Sequence, residues 1–310
     1  MSLRKRTVLS LLSITLLLCL FTACLPQEKK GDQAPAKTSA QSEATPTEPV
    51  ADVKREETRA TTRPPQIDGD PLQVCVLGYN MPLSQEAPDA QGLRGMYHDL
   101  AQALADKMGK KLSIHYVMHA FYSRPARHGL LMGNCALQIG LPRGDRDYTM
   151  GRKVGLTEAF TTVGYAIVLP QGKTVTELAD LKGMTVAIQP GSPAQEILND
   201  YEGVETVLIK DPDPVFGLIE SGEIDAAFVW GPSVGYLNKY QYDGKFNIVA
   251  TDMQFPVGIG MLAEQMEAKA DLDQMLKELQ PTIAKLRETY GLPSGPQVKV
   301  KQRLLYGMEG

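Results

Sequence analysis

At 310 residues with 43% apolar content, the chain is long enough to bury one two-lobed core or two small ones. Its net charge is −4, and removing the three N-terminal cations Arg4, Lys5 and Arg6 leaves −7 on the remainder. An acidic body without a basic stripe argues against nucleic acid as a partner and against a basic helix lying on a membrane surface.

After those cations comes the apolar run "VLSLLSITLLLCLFTA", which stops at Cys24. It reads as an export signal over residues 1–23, although it is also long enough to be marginal for an uncleaved membrane anchor. Thr22 and Ala23 ahead of Cys24 resemble the lipobox of bacterial lipoproteins, with Phe21 where that family prefers leucine. The resemblance implies a lipidated Cys24 and a periplasmic protein anchored to the cell envelope. Residues 24–70 are expected to be a disordered tether, because from residue 27 on they hold almost no large apolar side chain to offset chain entropy.

Of the four cysteines, Cys19 and Cys24 belong to the leader. Cys75 and Cys135 remain, and in an exported protein two leftover cysteines most simply pair. No metal or cofactor is expected. His98, His115, His119 and His128 share one half of the chain without a CxxC or an HxxxH on a helix, since "HYVMH" reads as a strand.

From Pro71 onward, short β-like runs alternate with amphipathic stretches. "LQVCVLG" reads as a strand, and "GMYHDLAQALADKMG" as a helix with Met96, Leu100, Leu104 and Met108 on one face, closed by Gly109. Strand "KLSIHYVMH", a helix or turn in "RPARHGLLMGN" and strand "CALQIGL" follow, then a longer strand within "LTEAFTTVGYAIVLPQG". A second cycle runs through helix "TVTELADLKG", strand "MTVAIQ", turn "PGSP" and helix "AQEILNDY". It continues with strand "ETVLIK", helix "PVFGLIESG", strand "DAAFVW" and helix "PSVGYLNKY". Strand "FNIVAT", an extended "FPVGIGMLA" and one final helix, "LDQMLKELQPTIAKLRETYG", complete the body.

This alternation predicts an α/β fold with parallel-rich sheets and helices on both faces. Two extended crossings, near residues 163–169 and 249–261, divide it into lobe 1 (residues 71–165 and 250–310) and lobe 2 (residues 166–249), joined by a double-strand hinge. Ligands of such sheets bind beyond the carboxyl ends of the strands. Four ends here carry turn chemistry: Tyr79-Asn80 after Gly78, Arg143 after Gly140-Leu141-Pro142, Ser192 after Gln189-Pro190-Gly191, and Trp230 before Gly231-Pro232. Ser192 and Pro193 suit a helix start, which serves either as a plain cap or as a site for an anionic or carbonyl-bearing ligand. Trp230, the only tryptophan, either faces the cleft or plugs a core. Asp225, at the other end of the same strand, reads as structural.

The order "LKGMTVAIQPGSPAQEIL", "SGEIDAAFVWGP" and closing "YGLP" resembles the family-3 extracellular solute-binding proteins, over residues 72–294. Cys75 in the first strand, "GNCALQIGLP" and "VWGPSVGYL" are similar to the MxaJ/XoxJ group of that fold, which is associated with PQQ-dependent methanol dehydrogenases. The resemblance implies a binding protein rather than an enzyme. Its roles would be delivery of a small solute to an ABC permease or, alternatively, service as accessory to a periplasmic quinoprotein dehydrogenase. Departures from the pattern bear on the ligand. Trp230 stands where amino-acid receptors carry a carboxylate for the ligand ammonium, and Ala136 stands where the accessory group has Asp. Arg143, Arg146 and Arg152 offer cations, without the usual Thr-Pro-Glu-Arg arrangement. Arg146 is the best cleft candidate of its loop. No nucleophile elbow, phosphate loop or zinc pattern is present. Dehydratase chemistry, known among relatives of the fold, would need a perturbed cleft carboxylate, with Glu158 and Asp145 as candidates.

Overall fold

The computed structural model describes residues 64–118, 124–143 and 152–300. Arg146, Asp145 and His119 lie outside them, as do the leader and most of the expected tether. The first half builds β1 (Leu72–Leu77), α1 (Met96–Lys107), β4 (Leu112–Val117), a short α2 (Arg124–His128) and β5 (Leu137–Pro142). Tyr79–Asn80 (β2) and Ser84–Gln85 (β3) add a small hairpin after β1, and Val154–Leu156 adds β6. β7 (Thr161–Leu169) leads to β8 (Thr185–Ile188), α3 (Pro193–Leu198), β9 (Glu205–Leu208), α4 (Val215–Ser221), β10 (Ala226–Trp230) and α5 (Gly231–Gln241). β11 (Asn247–Leu262), α6 (Lys269–Glu278) and α7 (Gln280–Thr289) close the chain.

Three expectations are corrected. The helix expected over residues 174–183 is only a 3-10 turn, Leu178–Leu181, because Asp180 folds back onto the backbone N–H groups of Thr176 and Glu177 and closes the chain locally. "FNIVAT" and "FPVGIGMLA" are one 16-residue strand, β11, rather than two segments. The single final helix is two, since Pro281 has no N–H to continue the ladder and sits in the first turn of α7.

One nine-stranded sheet holds the body together, in the order β4-β1-β5-β11-β7-β10-β8-β9, with β6 on β11. Pairings at its two wings (β1 with β4 and β5, β8 with β9 and β10) are parallel. The middle strands β7 and β11 run antiparallel to each other and to their neighbours β10 and β5. Each wing has an apolar core on both faces, giving the two-lobed α/β arrangement. In the first wing, Leu72, Val74, Met96, Leu100 and Leu104 form one core, while Cys75, Cys135, Leu130 and Leu141 form the other. Burying each of the large members completely contributes about 1.5–3 kcal/mol. In the second wing, Ile188, Ile197 and Phe228 pack on one face and Phe216, Val234 and Phe246 on the other. β7 serves both wings: Val163 belongs to the first wing's core and Ile167 to the second's.

Cys75 and Cys135 form a disulfide across a Cα–Cα distance of 5.6 Å, both fully buried. It closes a loop of 60 residues, which in the chain-entropy view stabilises the fold by about 4 kcal/mol. The chain is also held at both ends of the body. Residues 64–70, assigned to the disordered tether from sequence, are instead fastened. The buried amide of Gln265 accepts from Ile67 N at 3.0 Å and donates to Pro65 O at 3.0 Å, and Lys110 Nζ donates to Ile67 O and Gly69 O. Beyond α7 the chain, assigned to lobe 1 from sequence, returns to the second wing. There Val298 N donates to Ala250 O, and Val298 and Val300 enter the core of Ile188 and Phe228.

Candidate functional site

The middle strands β7 and β11 carry the junction between the wings, and their two faces differ. On one face the small residues Gly164 and Ala166 admit α5 at backbone distance. A side-chain carbon on Gly231 would lie 2.6 Å from Gly164 O, and one on Gly235 would lie 2.0 Å from Gly291 O. α5 is then tied down from several sides. Lys239 Nζ donates to Glu288 O at 2.6 Å and Tyr240 OH to Thr289 O at 2.7 Å, while Tyr236 OH donates to Asp89. Arg287 closes the same side by donating to Thr161 Oγ1, Thr162 O and Pro293 O. Burial pulls its guanidinium below the usual arginine range, which the nearby Tyr97 opposes.

The other face presents aromatic rings. Tyr165 on β7, Trp230 at the end of β10 and Phe255 on β11 are each half-buried. Tyr165 and Trp230 are direct cross-strand partners, with ring centroids 5.5 Å apart at 78°. Phe255 stands 6.3 Å from Trp230 and 6.5 Å from Tyr165. Behind them the fully buried Phe228 meets Tyr165 edge-on at 5.9 Å. A register shift in β11 between Ala250 and Gln254 sets this geometry. Thr251 Oγ1 bridges the shift by donating to Tyr165 O at 2.8 Å, and Gln254 Nε2 donates to Thr251 O at 2.8 Å. Trp230 packs against the first wing's core, whereas Tyr165 and Phe255 pack against the second's. The trio therefore sits at the seam of the two wings.

The remaining sequence-derived candidates are dispersed around this seam. Tyr79 is 79% exposed on the small hairpin, and Asn80 beside it accepts from Leu83 N at 2.7 Å through its carbonyl. Ser192 caps α3 as expected, its Oγ accepting from Gln195 N at 3.3 Å, while Gln195 Oε1 takes the N–H of Gly191 at 2.7 Å. Those donors are satisfied locally. Arg143 donates to Thr157 O and to Glu158 Oε2, both at 2.7 Å. Glu158 also takes Lys269 at 3.1 Å, and Lys269 in turn pairs with Asp273 at 2.5 Å. Hydrogen bonds and charge from Lys269 and Arg143 hold the Glu158 carboxyl below its ordinary range, so at neutral pH it is an ion-paired anion and no proton donor. Asp225 is structural: its Oδ2 accepts from Thr185 N at 2.8 Å, and its own N–H donates to Thr185 O at 2.8 Å.

Among the described residues, no group of three or more His, Cys, Asp or Glu could hold a metal ion, and no helix is long and apolar enough to cross a membrane. An open groove of about 840 Å³ lies between α5 and α7, lined by Asn238, Lys239, Asp243, Arg287, Glu288 and Ser294. Its cations already serve backbone carbonyls, and it lies on the covered side of the junction. The aromatic face at the junction, with Trp230 at the end of β10, is the stronger candidate on chemistry. Sequence reasoning found Trp230 there and missed Tyr165 and Phe255, whose only signal was an aromatic placed in each crossing segment.

No family profile matches the sequence, and no curated protein does. Solved structures do match. The second substrate-binding domain of Lactococcus lactis GlnP, in open conformation, superposes with a TM-score of 0.60 at 18% identity, over 73% of this chain and 97% of its own. The fold is that of the two-lobed solute-binding proteins. The unliganded, open L-cystine solute receptor of Neisseria gonorrhoeae gives 0.59 at 20% identity, over 72% of this chain and 93% of its own. MxaJ from Methlophaga aminisulfidivorans gives 0.56 at 22% identity, over 72% and 99%. Relationship at these identities extends to the fold, with which β7, β11 and the two wings agree.

Proposed function

We propose that this solute-binding fold holds a small molecule between lobe 1, residues 71–165 and 250 onward, and lobe 2, residues 166–249. The last described residues, 298–300, pack on lobe 2. The single observation that carries the reading is the half-buried trio Tyr165, Trp230 and Phe255 where the two wings meet. Rings of this size are kept out of a core only at some cost, and a ligand on them would recover that burial. Export and lipid anchoring through Cys24, with delivery to an ABC permease in the periplasm, complete the reading from the leader sequence. The experiment is a thermal-shift screen of amino acids, dicarboxylates, aromatic acids, amines and small alcohols. A ligand at a hundredfold excess over its Kd stabilises by about 2.7 kcal/mol, shifting the midpoint by roughly 2–4 °C. That shift should disappear in Trp230→Ala.

The alternative is an accessory of a periplasmic quinoprotein dehydrogenase. It is favoured by Cys75 and Cys135, whose sequence surroundings resemble the MxaJ/XoxJ group and which are disulfide-bonded, and by Trp230 in the place where amino-acid receptors resembling this chain carry a carboxylate. Co-purification with a PQQ-dependent methanol dehydrogenase, together with no shift across the solute panel, would favour it over transport.

A further inference from the structure

We propose that residues 291–300 form a restraining strap, a third connection between the two wings beside β7 and β11, which keeps the wings seated on each other at Trp230. The strap goes beyond the solute-binding reading and does not depend on it. Its two ends are anchored on different wings. At the start, Leu292 is buried in the first wing's core, Pro293 O accepts from Arg287 at 3.1 Å, and Gly291 and Pro293 lie against α5. At the finish, Val298 and Val300 enter the second wing's core, 1% and 6% exposed. Between these anchors Ser294, Gly295, Pro296 and Gln297 are all exposed.

The strap meets β11 where that strand leaves its regular pairing. Between Ala250 and Gln254 the register of β11 against β7 shifts, and there the strap supplies backbone partners. Val298 N donates to Ala250 O at 2.8 Å, and Asp252 N donates to Val298 O at 3.0 Å. Val300 N adds a bond to Asp252 Oδ1 at 2.9 Å. The link between the anchors is short and shaped. From Pro293 to Val298 it spans at most about 16–18 Å even when fully extended. Pro293 and Pro296 have fixed φ, and Gly295 adopts φ 98°, a conformation that other residues rarely take. Such a link has little slack. Rotation of one wing about β7 and β11 must strain it, or draw Val298 and Val300 from their core and break the bonds to Ala250 and Asp252. Any change of wing orientation therefore carries the cost of freeing the strap, and a solute that requires such a change must supply it.

Trp230 reports how the wings are seated, because it ends β10 in the second wing and packs on the first wing's core. It is the only tryptophan, so its quenching by acrylamide can be followed in the full-length protein with neither label nor solute. Inserting Gly-Gly-Ser between Gly295 and Pro296 lengthens the exposed link and leaves both anchors intact. The quenching constant should then rise from its half-buried value toward that of a free indole, by up to about twofold, with far-UV circular dichroism unchanged. Val298→Ser combined with Val300→Ser frees the strap by removing its burial and should give the same rise. Hydrogen exchange in that variant should quicken at residues 298 and 300 and along β7 and β11, while β1 and β4 keep wild-type rates. A rise in the serine variant without one in the lengthened link would assign the valines to the second wing's core alone and overturn the strap. Quenching that is unchanged or reduced in the lengthened link overturns it whatever the serine variant shows. Because no solute enters, an empty solute screen and a failed strap are separate results.

Discussion

The two faces of the crossing strands β7 and β11 are built from the same peptide stretch and treated oppositely. One face carries Gly164 and Ala166, so α5 and residues 291–293 approach to backbone contact and cover it. The other carries Tyr165 and Phe255, joined by Trp230, and all three rings stay half-buried. Small side chains permit helix docking at backbone distance, whereas large rings hold a neighbouring element further off. The covered face supplies rigidity, and the aromatic face is the one to which the proposed function assigns recognition.

Mutations separate these roles. The largest effect is expected where the aromatic cluster enters the core. Phe228→Ala should cost about 3–5 kcal/mol in urea unfolding, because it empties a fully buried site. Trp230→Ala, two residues on but half-buried, should cost under about 2 kcal/mol while abolishing solute response. Equal costs would show Trp230 to be as much a core residue as Phe228 and would count against a ring available to a solute. On the covered side, Gly235→Val places carbon against the Gly291 carbonyl and should destabilise by about 3 kcal/mol, with the affinity of the remaining folded protein unchanged. Tyr236→Phe removes the bond to Asp89, which keeps the N–H groups of Gln91 and Leu93, and should cost about 1 kcal/mol.

The smallest effect belongs to the ion network at Glu158, and it is pH-dependent. Its folded pKa is depressed by Lys269 and Arg143, so its contribution is present above the unfolded value of about 4.3. It is lost as pH falls through the folded value. Glu158→Gln should therefore lower Tm slightly at pH 7, and the difference should vanish in acid. A difference that grows in acid would contradict the assignment. Tyr290 behaves in the opposite sense. Burial and Asp99 raise its pKa, so its hydrogen bond to Asp99 stabilises at neutral pH and is lost only as pH climbs beyond the tyrosine range.

Much of this architecture was legible in the residues. The alternation of apolar runs placed β1, α1, β8, β10 and α5 within a few residues, Ser192-Pro193 marked a helix start, and the leftover cysteines marked the disulfide. The 3-10 turn at Leu178–Leu181 was read as a full helix, because its periodicity is helical and only the reach of Asp180 closes it early. The broken final helix could have been read from Pro281. Arg143 was legible as a strand-end cation, but its pairing with Glu158 was not. That depends on β5 and β6 both pairing with β11, which brings Thr157 and Glu158 beside Arg143.

By itself the sequence determined the element order, the two crossings, the disulfide and an aromatic at the end of β10, since local periodicity and turn chemistry act over a few residues. Only the tertiary structure decided that Trp230 would meet Tyr165 and Phe255, that Arg143 would be occupied, and that α5 would dock on the face of Gly164 and Ala166. Those outcomes depend on which strands become neighbours and on the register shift at Ala250–Gln254. A period-two pattern names the two faces of a strand, but it does not say what will lie against either.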